Sequence, residues 1–101
     1  MLVGIVYIKI YIPFSHSLKE KRKVVKSICA KVKNNFNVSI AEVDNLGLQQ
    51  TISIGIAVVS NDKKHIESII DKMLNFIESH TEGEIVEVDR EIVWHLIVFY
   101  H

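Results

Sequence analysis

From Leu2 to Ile12 the side chains alternate, with Leu2, Gly4, Val6, Ile8 and Ile10 on one parity and Val3, Ile5, Tyr7, Lys9 and Tyr11 on the other. A period of two in β-branched and aromatic residues predicts a strand whose even positions face a core, while Tyr7, Lys9 and Tyr11 share the opposite face. Pro13 ends it, because proline offers no N–H to a ladder. Ser17-Leu18-Lys19-Glu20 then fits a capping box: the Ser17 hydroxyl accepts from the Glu20 amide and the Glu20 carboxylate reaches back to the Ser17 amide, so a helix begins at Leu18. Leu18, Val25, Ile28, Cys29 and Val32 follow at helical spacing. Asn34-Asn35 is the expected stop, since asparagine tolerates left-handed geometry.

Phe36 to Val43 reads as a second strand, Asp44-Asn45-Leu46-Gly47 as a turn, and Gln49 to Val59 as a third strand with Ile52, Ile54, Ile56 and Val58 on one face. Ser60-Asn61-Asp62 supplies three candidate caps for a second helix, whose stripe is Ile66, Ile69, Ile70, Met73, Leu74 and Ile77 and which fades near His80. Thr81-Glu82-Gly83 interrupts the pattern, and Glu84 to Asp89 alternates again as a fourth strand. Beyond Arg90 an apolar run, Ile92 to Tyr100, either lengthens that strand or forms an extra one. The order β-α-β-β-α-β, with two right-handed crossovers joined by a hairpin, predicts an α+β sandwich of the ferredoxin-like type: an antiparallel sheet with both helices on one face. The other face stays open unless the apolar extension, about residues 91–101, or another subunit covers it.

A chain of 101 residues, 49% hydrophobic and 24% charged, has room for one core, so residues 1–101 form a single domain. Cys29, the sole cysteine, makes no internal disulfide and sits on the apolar stripe, which favours a reduced compartment and a packing role. Neither the apolar start, which lacks a basic leader, nor Ile92 to Tyr100, far short of the roughly 20 residues of a membrane helix, reads as a membrane segment. A cytoplasmic protein is expected. Charge alters the picture more: residues 1–35 carry eight bases against one acid, residues 62–101 four bases against nine acids, and the total is zero. One region of the surface should be basic and another acidic, which steers partners.

On the first helix, at about 100° per residue, Lys19, Arg22, Lys23, Lys26 and Lys33 fall within about a third of the circumference. Such a ridge can neutralise successive phosphates of RNA or DNA with release of counterions. Its alternative is a solvated face whose bases pair with the acidic C-terminal half. Tyr7, Lys9 and Tyr11 on the open sheet face are possible contacts for a ligand, but Thr51, Ser53, Gly55 and Ala57 opposite them include no aromatic, so base stacking of the RNA-recognition type is not expected there. His16 beside the helix start has no carboxylate placed to orient it and is better explained by capping. Acylphosphatases share the element order but depend on an arginine in the loop after the first strand; Ile12 to Ser17 holds none. His16, His65, His80, His95 and His101 are dispersed, so neither a metal nor a cofactor is expected, and Asp44 near Glu42 is accounted for by turn chemistry. No catalytic residue is assigned, and a non-enzymatic protein is expected.

Three blocks carry a resemblance: His16-Ser17-Leu18-Lys19-Glu20-Lys21-Arg22, Phe36-Asn37-Val38-Ser39-Ile40-Ala41-Glu42-Val43-Asp44 and Ala57-Val58-Val59-Ser60-Asn61-Asp62. They resemble, in that order, the YlxP-like family of small bacterial proteins, over about residues 1 to 90. The resemblance implies the same ferredoxin-like fold, and the frequent encoding of members beside translation initiation factor two and ribosome-binding factor A implies a role near the ribosome or RNA. It brings no catalytic residue. The family's basic stretch maps onto Lys19, Lys21, Arg22 and Lys23. Two functional expectations follow: a module that contacts ribosomal or other structured RNA through the ridge, or a self-associating protein that forms a homodimer through its open sheet face or C-terminal strand.

Overall fold

In the computed structural model, which describes residues 1–95, the chain runs β1 (Leu2–Tyr11), α1 (Leu18–Asn35), β2 (Ser39–Asp44), β3 (Thr51–Ser60), α2 (Lys63–His80) and β4 (Glu84–Trp94). The strands form one antiparallel sheet in the order β2-β3-β1-β4. Alternation sets the register: Val6, Ile8 and Ile10 of β1 stand opposite Ile56, Ile54 and Ile52 of β3 and are buried with them beneath the helices. Ile66, Ile70, Met73 and Ile77 of α2 close this core from above, while Val25, Ile28 and Val32 of α1 close it on the β2 side. The fold is the ferredoxin-like α+β sandwich, with both helices on one face.

Local corrections to the sequence reading are informative. Phe36 begins no strand. It caps α1 with an extended backbone and donates its amide to the Val32 carbonyl at 2.8 Å, and its ring meets Phe76 edge-on at 5.5 Å. The left-handed asparagine stop is also absent; the Asn35 side-chain amide instead donates to the Lys31 carbonyl at 2.8 Å. At the start of α1 the Ser17 hydroxyl does accept from the Glu20 amide, but the Glu20 carboxylate reaches one residue further back, accepting from the His16 amide at 2.8 Å. Asp62 is the cap of α2.

The fourth strand does not stop at Asp89. It continues to Trp94, so the apolar run lengthens it; Leu96 to Tyr100 lie outside the described residues. Lys9 stands opposite Glu87 but Ile10 opposite Ile85, which leaves Val86 as a bulge. Simple alternation through β4 therefore fails at Val86, and Ile85 and Val88, three positions apart, share the core-facing side.

Gly4 explains how α2 approaches β1 so closely. A Cβ there would lie 2.6 Å from Ile66 Cγ2 and 2.8 Å from Val58 Cγ1, inside contact distance of two packed side chains. Gly4→Ala is expected to destabilise the domain by about 1–3 kcal/mol through overpacking, read as a lower urea midpoint; an unchanged midpoint would mean that α2 does not rest on β1 as described.

Candidate nucleic-acid interface

The first turn of α1 holds a lysine that belongs to the core. Lys21 is fully buried, with its ammonium 2.8 Å from Glu42 Oε2 on β2, and it donates to the carbonyls of Asn45 at 2.6 Å and Leu46 at 3.4 Å. Glu42 Oε2, itself shielded from water, takes no other donor. The hairpin is shaped to receive this group: Asn45 adopts φ 56°, the left-handed turn conformation that asparagine tolerates, which turns its carbonyl toward Lys21. The Asn45 side chain then donates to Ser53 Oγ at 2.7 Å, and its backbone amide to Asp44 Oδ1 at 2.8 Å. One ammonium thus joins helix, strand and turn.

This anchor fixes the rotation of α1 about its axis. With Lys21, Val25, Ile28 and Val32 turned inward, Lys19, Arg22, Lys23, Lys26 and Lys33 are all exposed. Lys19, Arg22, Lys23 and Lys26 border one shallow hollow on the helix surface. Among the described residues none of the five makes an ion pair; the pairs formed are Lys9–Glu87, Lys21–Glu42, Lys63–Glu67 and Arg90–Asp71. The reason is positional. Helix α1 packs beside β2 at one edge of the sheet, whereas Glu84, Glu87, Asp89 and Glu91 lie on β4 at the other. Lys21, part of the basic stretch in sequence, is not part of the ridge in space.

The open sheet face is less available than its sequence implies. Tyr7 is half-buried and donates its hydroxyl to Ser53 Oγ at 3.0 Å; Lys9 sits 3.8 Å from Glu87; Tyr11 alone of the three is exposed with no described partner. Glu42 and Asp44 do not converge, since Glu42 points under α1 and Asp44 serves the turn. Among the described residues no group of three or more His, Cys, Asp or Glu is gathered as a metal site would require. Cys29 is half-buried, and burial pushes its thiol pKa up, opposed by Lys33 and reinforced by Glu42, so the thiolate is disfavoured. No helix of the described residues is long and apolar enough to cross a membrane.

Sequence reasoning missed the Lys21–Glu42 pair. The available signal was position: on α1, Lys21 precedes Val25, Ile28 and Val32 by i+4, i+7 and i+11, which places it on the buried stripe.

The model of the family described as "Protein of unknown function (DUF503)" matches residues 3–90. The uncharacterized protein YlxP of Bacillus subtilis (strain 168) is 46% identical over 68 residues, covering 67% of this chain and 74% of that protein. A de novo designed protein with a ferredoxin fold superposes with a TM-score of 0.59 at 18% identity, over 100% of this chain and 98% of its own. A crystal structure from Arabidopsis thaliana gives 0.50 at 12% identity, over 97% of this chain and 99% of the other. At such identities these two structures speak to the fold alone.

Removing one partner of the buried pair should be costly, because the other charge is then left without compensation. Lys21→Met is expected to lose about 3–5 kcal/mol, and the double variant Lys21→Met with Glu42→Leu to recover most of it. Urea unfolding of the three proteins measures this. Equal loss in single and double variants would show that the two charges do not act as a pair.

Proposed function

The chain belongs to the DUF503 family, whose function is unknown, and on the geometry of α1 we propose that it is a cytoplasmic binding module, not an enzyme, that holds structured RNA, ribosomal RNA included, by its phosphate backbone. The observation that carries this reading is the set of five exposed cations on one helix face, none of them in an ion pair among the described residues. From Lys19 to Lys33 the helix rises about 21 Å at 1.5 Å per residue, a length over which a duplex presents many phosphates. Phosphate contacts of this kind position a protein without reading sequence. The buried Lys21 supports the proposal indirectly, since a ridge on a helix with fixed rotation loses little entropy when it engages a polyanion.

A second reading rests on the open sheet face. Val3 lies between Val59 and Val93 across three adjacent strands, with Val59 63% exposed and Ile5 close by. An apolar row of this kind suits a homodimer packed face to face. If it operates, light scattering on the intact chain will give twice the monomer mass, and Val59→Lys will restore the monomer; a monomeric wild-type protein removes this reading.

For RNA, log affinity against log salt concentration should have a slope near −4 to −5 if all five cations engage. Replacing Arg22, Lys23 and Lys26 together by Gln should flatten that slope by about 3 and leave thermal unfolding unchanged. Fluorescence anisotropy with an RNA hairpin at several salt concentrations provides the check, and an unaltered slope in the triple variant would defeat the proposal.

A further inference from the structure

Phe14 is an aromatic ring on a braced loop. It lies between β1 and α1 and is 41% exposed. The backbone on either side of it is held by one side chain, because the Gln50 amide donates to the carbonyl of Pro13 at 3.0 Å and to that of Ser15 at 3.2 Å. Ser15 is itself buried and donates its amide to the Ile12 carbonyl at 3.1 Å. Pro13 fixes a further torsion. A large apolar ring is therefore presented to solvent from a backbone that has little freedom to withdraw it.

The ring stands at a groove of about 300 Å³ between α1 and the end of α2, at the small end of the range for ligand sites. Its two walls differ in chemistry. Along α1 the wall carries Lys23, Ser27 and Lys31, hydrogen-bond donors of which the lysines are cationic and without an ion pair among the described residues. Across the groove stand His80 and Glu82. The His80 ring stacks on Phe76 at a centroid distance of 4.0 Å, and its Nδ1 lies 2.8 Å from the Phe76 carbonyl. Nδ1 also lies 3.1 Å from the Ser79 hydroxyl; because a carbonyl only accepts, the tautomer with the proton on Nδ1 satisfies the Phe76 contact and leaves Nε2 as an acceptor. Glu82 is an acceptor as well. One wall thus suits an anion, the opposite wall suits a donor-bearing edge, and an aromatic ring lies at the groove.

We propose that this groove binds a single unpaired nucleotide, with its base stacked on Phe14, its phosphate held by Lys23 and Lys31, and its donor-bearing edge turned to Glu82 and His80. Guanine fits best, because its N1–H and N2–H groups can both donate to the Glu82 carboxylate. A free phosphate would meet the repulsion of Glu82 without the stacking. The inference rests on the RNA reading and sharpens it: Lys23 borders both this groove and the hollow of the ridge, so a backbone lying along α1 could turn one flipped base into the groove.

Guanosine 5′-monophosphate, titrated into the intact ¹⁵N-labelled protein at millimolar concentrations, tests the groove apart from the ridge. Amide shifts should gather at Phe14, Ser27, Lys31 and Glu82. Phe14→Ala should weaken the nucleotide about 5- to 150-fold, the range of one lost base–aromatic stack. Phe14→Trp should retain binding, with indole emission quenched by stacking. Inorganic phosphate and a phosphotyrosine peptide are the comparison ligands. The groove assignment is overturned by an absence of shifts with the nucleotide, by shifts unaffected in Phe14→Ala, or by tighter binding of the peptide. The separate failure of RNA to bind the ridge would be seen in the anisotropy slope and would leave a positive nucleotide titration standing.

Discussion

A buried ammonium determines how the basic surface is presented. Lys21 lies under the first turn of α1, neutralised by Glu42 and hydrogen-bonded to the carbonyls of the β2–β3 turn. Two charges withdrawn from water rarely gain more by attraction than they lose by desolvation, so a hydrophobic pair of similar volume would serve stability as well or better. What the pair supplies is direction. A hydrophobic contact tolerates several rotations of a helix, whereas an ammonium that must meet one carboxylate and one left-handed turn tolerates few, and this keeps the neighbouring cations facing water.

Most of the architecture was legible in the sequence because it depends on period. Two strands of strict alternation, two helical stripes and one hairpin left a single economical arrangement, and Ile52, Ile54, Ile56 and Val58 stood on the face expected of them. The errors fell where a local interaction outweighed the pattern. Phe36 looks like strand sequence but closes a helix end against Phe76; Val86 looks like the next alternating residue but is a bulge. Local periodicity shows which face a side chain shares, not the partner that it meets across the fold.

The candidate site was legible in part, for a related reason. Charges on one helix surface follow from spacing alone, so the ridge could be listed residue by residue from the sequence. Whether each charge is free or paired depends on partners distant in the chain. Lys21 differs from Lys19 and Lys23 only in position on the wheel, and its true neighbours, Glu42 and Asn45, are 21 and 24 residues away. The groove beside Phe14 was invisible for the same reason, because Gln50, which braces its loop, and His80, which lines it, come from separate parts of the chain.

Both outer strands of the sheet are irregular: β2 shifts register between Glu42 and Asp44, and β4 bulges at Val86 beside a row of acids. An outer strand presents unsatisfied amides and carbonyls that a foreign chain could extend. Kinked backbone and like charge at these borders interrupt that ladder, so a molecule with no net charge and a largely aliphatic interior still has a means to resist growth into fibrils.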